Sequence, residues 1–213
     1  MTESKNRLCR IVAAGEGILN ADELKGGQAL LIAADAGYEK LKAVGITPDL
    51  IMGDFDSSER PDNAGCPILQ HPSEKDDTDT GLAAEYAYSE GCREFIIYCA
   101  TGGRCDHEFA NYQLLVSLAR RGCRAKLRGG RFDVYALHGG GFDTLTLGAA
   151  YGTVSVFAVS EKAEGVCIRG LKYPLEDHTL TCDYALGVSN ERMGEEALIS
   201  VKSGDLMVMV ENV

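Results

Sequence analysis

Five carboxylates stand in two short polar segments, Gly53-Asp54-Phe55-Asp56-Ser57 and Lys75-Asp76-Asp77-Thr78-Asp79, each beside an apolar run. Like charges repel: at ~4 Å and a surface-like effective dielectric, one such pair costs on the order of 4 kcal/mol. If the segments meet in space, a cation must hold them. A hard divalent ion such as Mg²⁺ fits, because it takes oxygen ligands and keeps substrate phosphates in its shell. Asp54 and Asp56 are two apart, so an extended backbone points both to one face. The alternative is an Asp-rich turn bonding its own backbone. Asp76 and Asp79 are three apart at the start of an expected helix over 80–89, near one face of it. There the alternative is helix capping. Three acids in four residues exceed what a cap requires, and Lys75 adds a charge suited to phosphate.

A third polar segment is Thr101-Gly102-Gly103-Arg104-Cys105-Asp106-His107. Its glycines would bring backbone amides, and Arg104 a guanidinium, toward phosphate oxygens. The alternative is a tight turn with a surface arginine. Asp106-His107 can serve as a base or ligand pair, although a lone histidine near a helix start is more often structural. Gly15-Glu16-Gly17 begins like a dinucleotide fingerprint, but Asn20 stands where the third glycine would be. No P-loop, His-Glu-x-x-His or Gly-x-Ser-x-Gly motif occurs.

The elements that must position these segments follow from hydrophobic patterning. Strand-like runs are expected at 8–14, 29–34, 49–52 and 94–100. Helices are expected at 21–26, at 37–44 with Gly45 as its C-cap, at 80–89 on a stripe of Leu82, Ala83, Tyr86 and Ala87, and through Leu114, Leu115, Leu118 and Ala119 up to Gly122. Near-continuous apolar strands separated by amphipathic helices imply a parallel sheet covered on both faces. Asp35, Asp54 and the Thr101–His107 segment then fall at the carboxyl ends of strands, where open α/β sheets bind ligands. From about Gly129 onward helices give way to short strands at 132–137, 144–147, 153–159, 165–168, 197–201 and 206–210. The expected fold is an N-terminal three-layer α/β domain (1–128) with a parallel sheet, followed by a C-terminal antiparallel β-sandwich (129–213).

Composition narrows the function classes. A net charge of −11 argues against binding a nucleic-acid backbone, which calls for a basic face. Hydrophobic residues make up 45% of the 213, enough for a sizeable core and short of any disorder signature. No apolar run reaches the roughly 20 residues of a membrane span. The polar start, Met1-Thr2-Glu3-Ser4-Lys5, carries no secretory pattern. The eight cysteines are scattered without a Cys-x-x-Cys pair, and Cys99 and Cys123 read as small core hydrophobes, so a cytoplasmic protein is expected.

Taken together, these segments resemble the thiamine pyrophosphokinase (thiamine diphosphokinase) family. The matching pieces are Asp35-Ala36-Gly37, the run from Thr47 to Ser57, Lys75–Asp79, Gly102–His107, Gly170-Leu171-Lys172-Tyr173-Pro174-Leu175 and Gly187-Val188-Ser189-Asn190-Glu191. The resemblance spans about Ala33 to Val210, and six motifs in one order make it specific. It implies Mg²⁺-dependent transfer of the pyrophosphoryl group of ATP to the thiamine hydroxyl, giving thiamine diphosphate and AMP. It also implies a homodimer whose active site is shared between subunits. Carried over by position, Asp54, Asp56 and Asp79 look like the metal carboxylates and Asp106 like a catalytic carboxylate near the reacting hydroxyl. Asp35, Lys75, Asp76, Thr78, Gly103, Arg104 and His107 would serve ATP and its phosphates, and Ser189 and Asn190 would contact thiamine. Some relatives place a tryptophan near thiamine; this chain has none, and Tyr173 is the substitute considered.

Two other readings compete. Asp-x-Asp after a strand also marks Mg²⁺-dependent phosphatases with Asp54 as nucleophile, but Ser58 stands where such enzymes usually carry Thr or Val. A nucleotide- or thiamine-sensing module is the non-enzyme alternative. The bare residues alone reach a Mg²⁺-dependent enzyme acting on a phosphate ester or anhydride.

Overall fold

The computed structural model describes residues 7–55, 61, 64–72 and 76–212. They divide into two compact units, one running to Asn111 and including Leu127–Gly129, the other comprising Tyr112–Lys126 and the residues from Gly130 on. The division falls inside two elements, α4 (Cys105–Arg120) and β6 (Arg124–Arg128).

The first unit holds β1 (Arg7–Val12), α1 (Ala21–Leu24), β2 (Leu30–Ala34), α2 (Gly37–Ala43), β3 (Leu50–Gly53), β4 (Ile68–Gln70), α3 (Asp79–Ser89) and β5 (Cys92–Tyr98). Strands neighbour one another in the order β5-β1-β2-β3-β4, and every pair is parallel. Ile97, Ile11 and Ile32 sit in register across three of these strands, all fully buried. Each such side chain contributes about 1.5–3 kcal/mol on leaving water. Burial on both faces is why these strands read as unbroken apolar runs.

Helices close over the sheet by small residues. Gly37 opens α2, and a Cβ built there would stand 1.9 Å from the Val12 carbonyl oxygen, so only glycine permits this approach. In α3 the buried residues are Thr80, Gly81, Ala83, Ala84 and Ala87, while Leu82 and Tyr86 are only half-buried. The expected stripe is thus rotated toward the smaller side chains, which let the helix pack tightly against the sheet. α1 is shorter than expected and starts at Asn20, whose side chain accepts from the Asp22 amide at 3.0 Å.

The second unit is a sandwich. β12 (Gly187–Met193), β9 (Tyr151–Ala158), β14 (Asp205–Glu211) and β7 (Phe132–His138) neighbour one another in that order, antiparallel throughout. The opposing sheet runs β11 (Leu175–Thr181), β10 (Lys162–Arg169), β13 (Ala197–Ser200), β8 (Thr144–Leu147), also antiparallel. Val156, Leu206 and Val208 from one sheet meet Leu145, Ile168 and Ile199 from the other in one buried cluster. The expected fold class, a parallel-sheet α/β unit with an antiparallel sandwich, is the one observed.

Four strands escaped the sequence reading: β4, β6, β11 and β12. β4 spans three residues, too few for periodicity. β6 hides its alternation among basic residues, with only Ala125 and Leu127 buried. β11 and β12 are sheet edges that bury little, Leu180 in one and Gly187 and Asn190 in the other.

One ion cluster ties the second unit together. Asp205 is 2% exposed. Its carboxylate accepts from Arg120 Nε at 3.2 Å and Nη2 at 2.5 Å, and pairs with His138 Nδ1 at 2.8 Å. Burial pushes its pKa up, but hydrogen bonds from Arg120 and His138 outweigh that, and the carboxyl is held below its ordinary range. Such a group stabilises the fold fully above the ordinary carboxylate pKa of about 3.9, and that contribution fades as pH falls through the lower folded value. Asp205→Asn should therefore cost about 2–3 kcal/mol at neutral pH, with Arg120 half-exposed keeping the loss moderate. Urea titrations across the acid range should show the stability difference between the two proteins shrinking below about pH 4; a constant difference would mean the carboxylate's charge is not what matters.

Candidate active site

A cavity of about 920 Å³ opens in the first unit, at the carboxyl ends of its strands. The strand ends themselves build it. Ala13, Ala34, Asp54 and Ala100 follow or close β1, β2, β3 and β5, and all line the cavity. Asp35 leaves β2 in the left-handed region (φ 49°) while its amide donates to the Met52 carbonyl at 2.7 Å. A Cβ built at Gly53 would lie 3.2 Å from the Asp35 Cα, so these neighbouring strand ends touch through backbone.

The second wall is the start of α3. Thr78 is its N-cap, with an extended backbone and its hydroxyl accepting from the Gly81 amide at 3.0 Å. The Thr78 amide in turn donates to the Asp77 carboxylate at 2.7 Å. Asp77 and Thr78 thus perform the capping, and the two remaining acids of the segment, Asp76 and Asp79, line the cavity with them.

The third wall is the loop from β5 into α4. Gly102 and Gly103 both take positive φ, 78° and 75°, which bends the loop back over the strand end. Glu108 fixes the bend by accepting from the Gly102 amide at 2.9 Å, and buried Asn111 donates to the Ala100 carbonyl at 2.7 Å. Arg104 lines the cavity, but its guanidinium is forked on Asp106, Nε to Oδ1 at 3.1 Å and Nη2 to Oδ2 at 2.7 Å. Oδ1 of Asp106 also accepts from the His107 amide at 3.0 Å. The Arg104 hydrogen bonds dominate, helped by that amide, and hold the Asp106 carboxyl at about 2.

Of the residues singled out in the sequence, Asp35, Asp54, Asp76, Thr78, Asp79, Gly103, Arg104 and His107 line this one cavity. Asp106 reaches it only through Arg104, being absent from the lining itself. Asp56 and Lys75 lie outside the described residues. Ser189 and Asn190 belong to β12 of the second unit. Ser189 is exposed, at φ 58°. Asn190 is 4% exposed, and its amide is consumed by backbone: Oδ1 accepts from Tyr173 at 3.0 Å and Glu191 at 2.9 Å, and Nδ2 donates to the Tyr173 carbonyl at 2.7 Å. Tyr173 itself is 57% exposed, with Lys172 5.3 Å from its ring centre. Lining residues that sequence reasoning left out include Lys40, Glu16, Glu108 and Asn111. Glu16 had a signal, the glycine-flanked loop after β1; the other three are ordinary helix residues whose placement depends on the fold.

Among the described residues no three His, Cys, Asp or Glu side chains stand grouped as a ready metal cage. That is compatible with magnesium, which rarely uses an all-protein cage and is held by one or two carboxylates plus phosphate oxygens. The donor chemistry here, carboxylate oxygens of Asp54 and Asp79 on a shared cavity, would suit that ion.

Comparison with known proteins gives consistent matches. The family model described as thiamin pyrophosphokinase, catalytic domain, matches residues 21–127, and that described as thiamin pyrophosphokinase, vitamin B1 binding domain, matches 144–206. A thiamine pyrophosphokinase of Bacillus subtilis (strain 168) is 29% identical over 185 residues, covering 84% of this chain and 86% of its own. Among solved structures, thiamine pyrophosphokinase from Bacillus subtilis superposes with a TM-score of 0.85 at 25% identity, covering 97% of this chain and 100% of its own. That from Geobacillus thermodenitrificans gives 0.83 at 27%, covering 97% and 98%.

The Arg104–Asp106 fork generates a prediction of its own. In Arg104→Ala the Asp106 carboxyl should titrate near the ordinary aspartate value of about 3.9 rather than about 2. Carboxyl-carbon NMR across the acid range reads this directly; an unmoved titration would assign the depression to the backbone amide instead.

Proposed function

The chain belongs to the thiamin pyrophosphokinase family, and we propose how its residues carry out that family's reaction, transfer of the pyrophosphoryl group of ATP to the thiamine hydroxyl with release of AMP. The observation that carries the reading is the convergence of Asp35, Asp54, Asp76 and Asp79 with Arg104 on one cavity at the strand ends. Residues 1–128 would supply the ATP- and magnesium-binding part and 129–213 the thiamine-binding part.

Asp54, Asp56 and Asp79 would hold magnesium, which when bound supplies neutralisation of phosphate charge and polarisation at phosphorus. The protein's task is then mainly positioning and charge stabilisation, because phosphoryl-type transfer asks little covalent help. Arg104 presents a planar fork suited to two phosphate oxygens. The Gly102–Gly103 bend, braced by Glu108, brings backbone close to the same place, and Lys75, Thr78 and His107 complete the phosphate side. Asp106 is the carboxylate assigned to the acceptor hydroxyl. While Arg104 grips it, its basicity is low, so it accepts a proton only after Arg104 has turned to the phosphates.

On the thiamine side Ser189 offers an exposed hydroxyl. The engaged amide of Asn190 favours a positioning role: it holds the Tyr173 backbone, and the exposed Tyr173 ring, with Lys172 beside it, would lie against an aromatic ligand. Exposed Tyr151, Val188 and Met193 along β9 and β12 support a homodimer, so sedimentation equilibrium should return a dimer mass, and a strict monomer would remove that part of the reading. A cytoplasmic setting suits cysteines that are all free thiols. Among the described residues no helix is long and apolar enough to cross a membrane.

Incubation with ATP, Mg²⁺ and thiamine should yield AMP and thiamine diphosphate in equal amounts; inorganic phosphate without AMP would point to a phosphatase. Asp54→Asn should lower kcat by at least about a hundred-fold, the loss expected from removing about 3 kcal/mol of charge stabilisation, with the fold intact by circular dichroism. Near wild-type turnover at limiting Mg²⁺ would take Asp54 out of the metal site.

A further inference from the structure

The cavity's charge balance singles out a residue that none of the matching motifs contains. Seven carboxylates line it, against Lys40 and Arg104 as the cations among the described residues. Arg104 is already forked on Asp106 through Nε and Nη2. Lys40 makes no ion pair with any described residue.

Its position follows from the way α2 is seated. Gly37 lets the helix start against the Val12 carbonyl, and Leu41 is buried one turn on, which fixes the helix rotation. Lys40, three residues after Gly37, then flanks the cavity. The other lysine of α2 is committed elsewhere: Lys42 pairs with Glu39 at 3.8 Å and lies 5.9 Å from the Tyr38 ring centre. The Lys40 ammonium also acts on Cys99, at the far end of β5, lowering a thiol pKa that burial pushes up. Its charge is therefore felt across the cavity floor between α2 and β5.

We propose that Lys40 is a nucleotide-binding residue whose ammonium contacts the phosphate chain of ATP. A polyanion entering a cavity rich in carboxylates needs positive charge beyond what a metal ion brings, and Lys40 supplies it without first breaking an ion pair. Its long stem can follow the phosphates as the chain is cleaved, whereas the arginine fork holds one geometry. The inference rests on the kinase reading for its ligand, ATP.

Three proteins test it: wild type, Lys40→Met, which keeps the apolar stem, and Lys40→Arg, which keeps the charge. Calorimetric titration with Mg²⁺–ATP should show Kd for ATP raised about ten-fold or more in Lys40→Met and largely restored in Lys40→Arg. Steady-state KM for ATP should rise in parallel while KM for thiamine stays put. The wild-type affinity should also fall more steeply with added KCl than that of Lys40→Met. Unchanged ATP affinity in Lys40→Met, or an arginine variant as weak as the methionine one, overturns the proposal. These outcomes differ from failure of the underlying reading: a wild-type protein that binds ATP yet forms no thiamine diphosphate refutes the kinase and leaves Lys40 tested, and one that binds no ATP refutes both.

Discussion

Everything in the first unit depends on holding negative charge where the backbone concentrates it. Parallel strands lie under 5 Å apart, so residues that follow adjacent strand ends leave from neighbouring backbone. Here the ends of β2 and β3 touch through Asp35 and Gly53, and each hands the chain on to a carboxylate. The start of α3 adds two more. Gathering like charges costs free energy, and at one wall Asp77 and Thr78 are engaged in capping the helix start. The arrangement becomes favourable when a ligand delivers cations together with phosphate oxygens. On the reading proposed above, the same repulsion would favour a nucleotide that arrives with its cation.

Much of this was legible in the sequence because the relevant strands are buried on both faces and their ends are abruptly polar. The change from Ile-Met-Gly to Asp-Phe-Asp needs no tertiary information to be recognised. The same logic explains the misses. β11 and β12 bury almost nothing and so carry no alternation, and β6 disguises its two buried residues among three basic ones. In α3 the pattern rule favoured larger apolar residues, whereas close packing selected alanines. Lys40 was illegible for a different reason: its side of α2 is decided by Gly37 fitting against Val12, a contact between segments far apart in sequence.

Asn190 shows how a buried motif residue can fix a loop. Buried amides demand partners, and each of its polar atoms finds one on the backbone of Tyr173 or Glu191. The result is a pinned loop that leaves the Tyr173 ring outside.

The Arg104–Asp106 pair raises the question of whether a bound arginine is an obstacle to phosphate binding. Both partners are well exposed, 71% and 63%. Ion pairs of that exposure stabilise little, because water competes for both charges. Surrendering the fork therefore costs little, yet while it lasts it holds the planar guanidinium in one orientation on the loop that lines the cavity. The exchange has a second consequence. The hydrogen bonds that hold Asp106 near the bottom of the carboxylate range come chiefly from Arg104, so moving that side chain onto a phosphate raises the basicity of Asp106 at the same moment. On the proposed reading, one side-chain rotation would couple occupation of the nucleotide site to the basicity of this carboxylate.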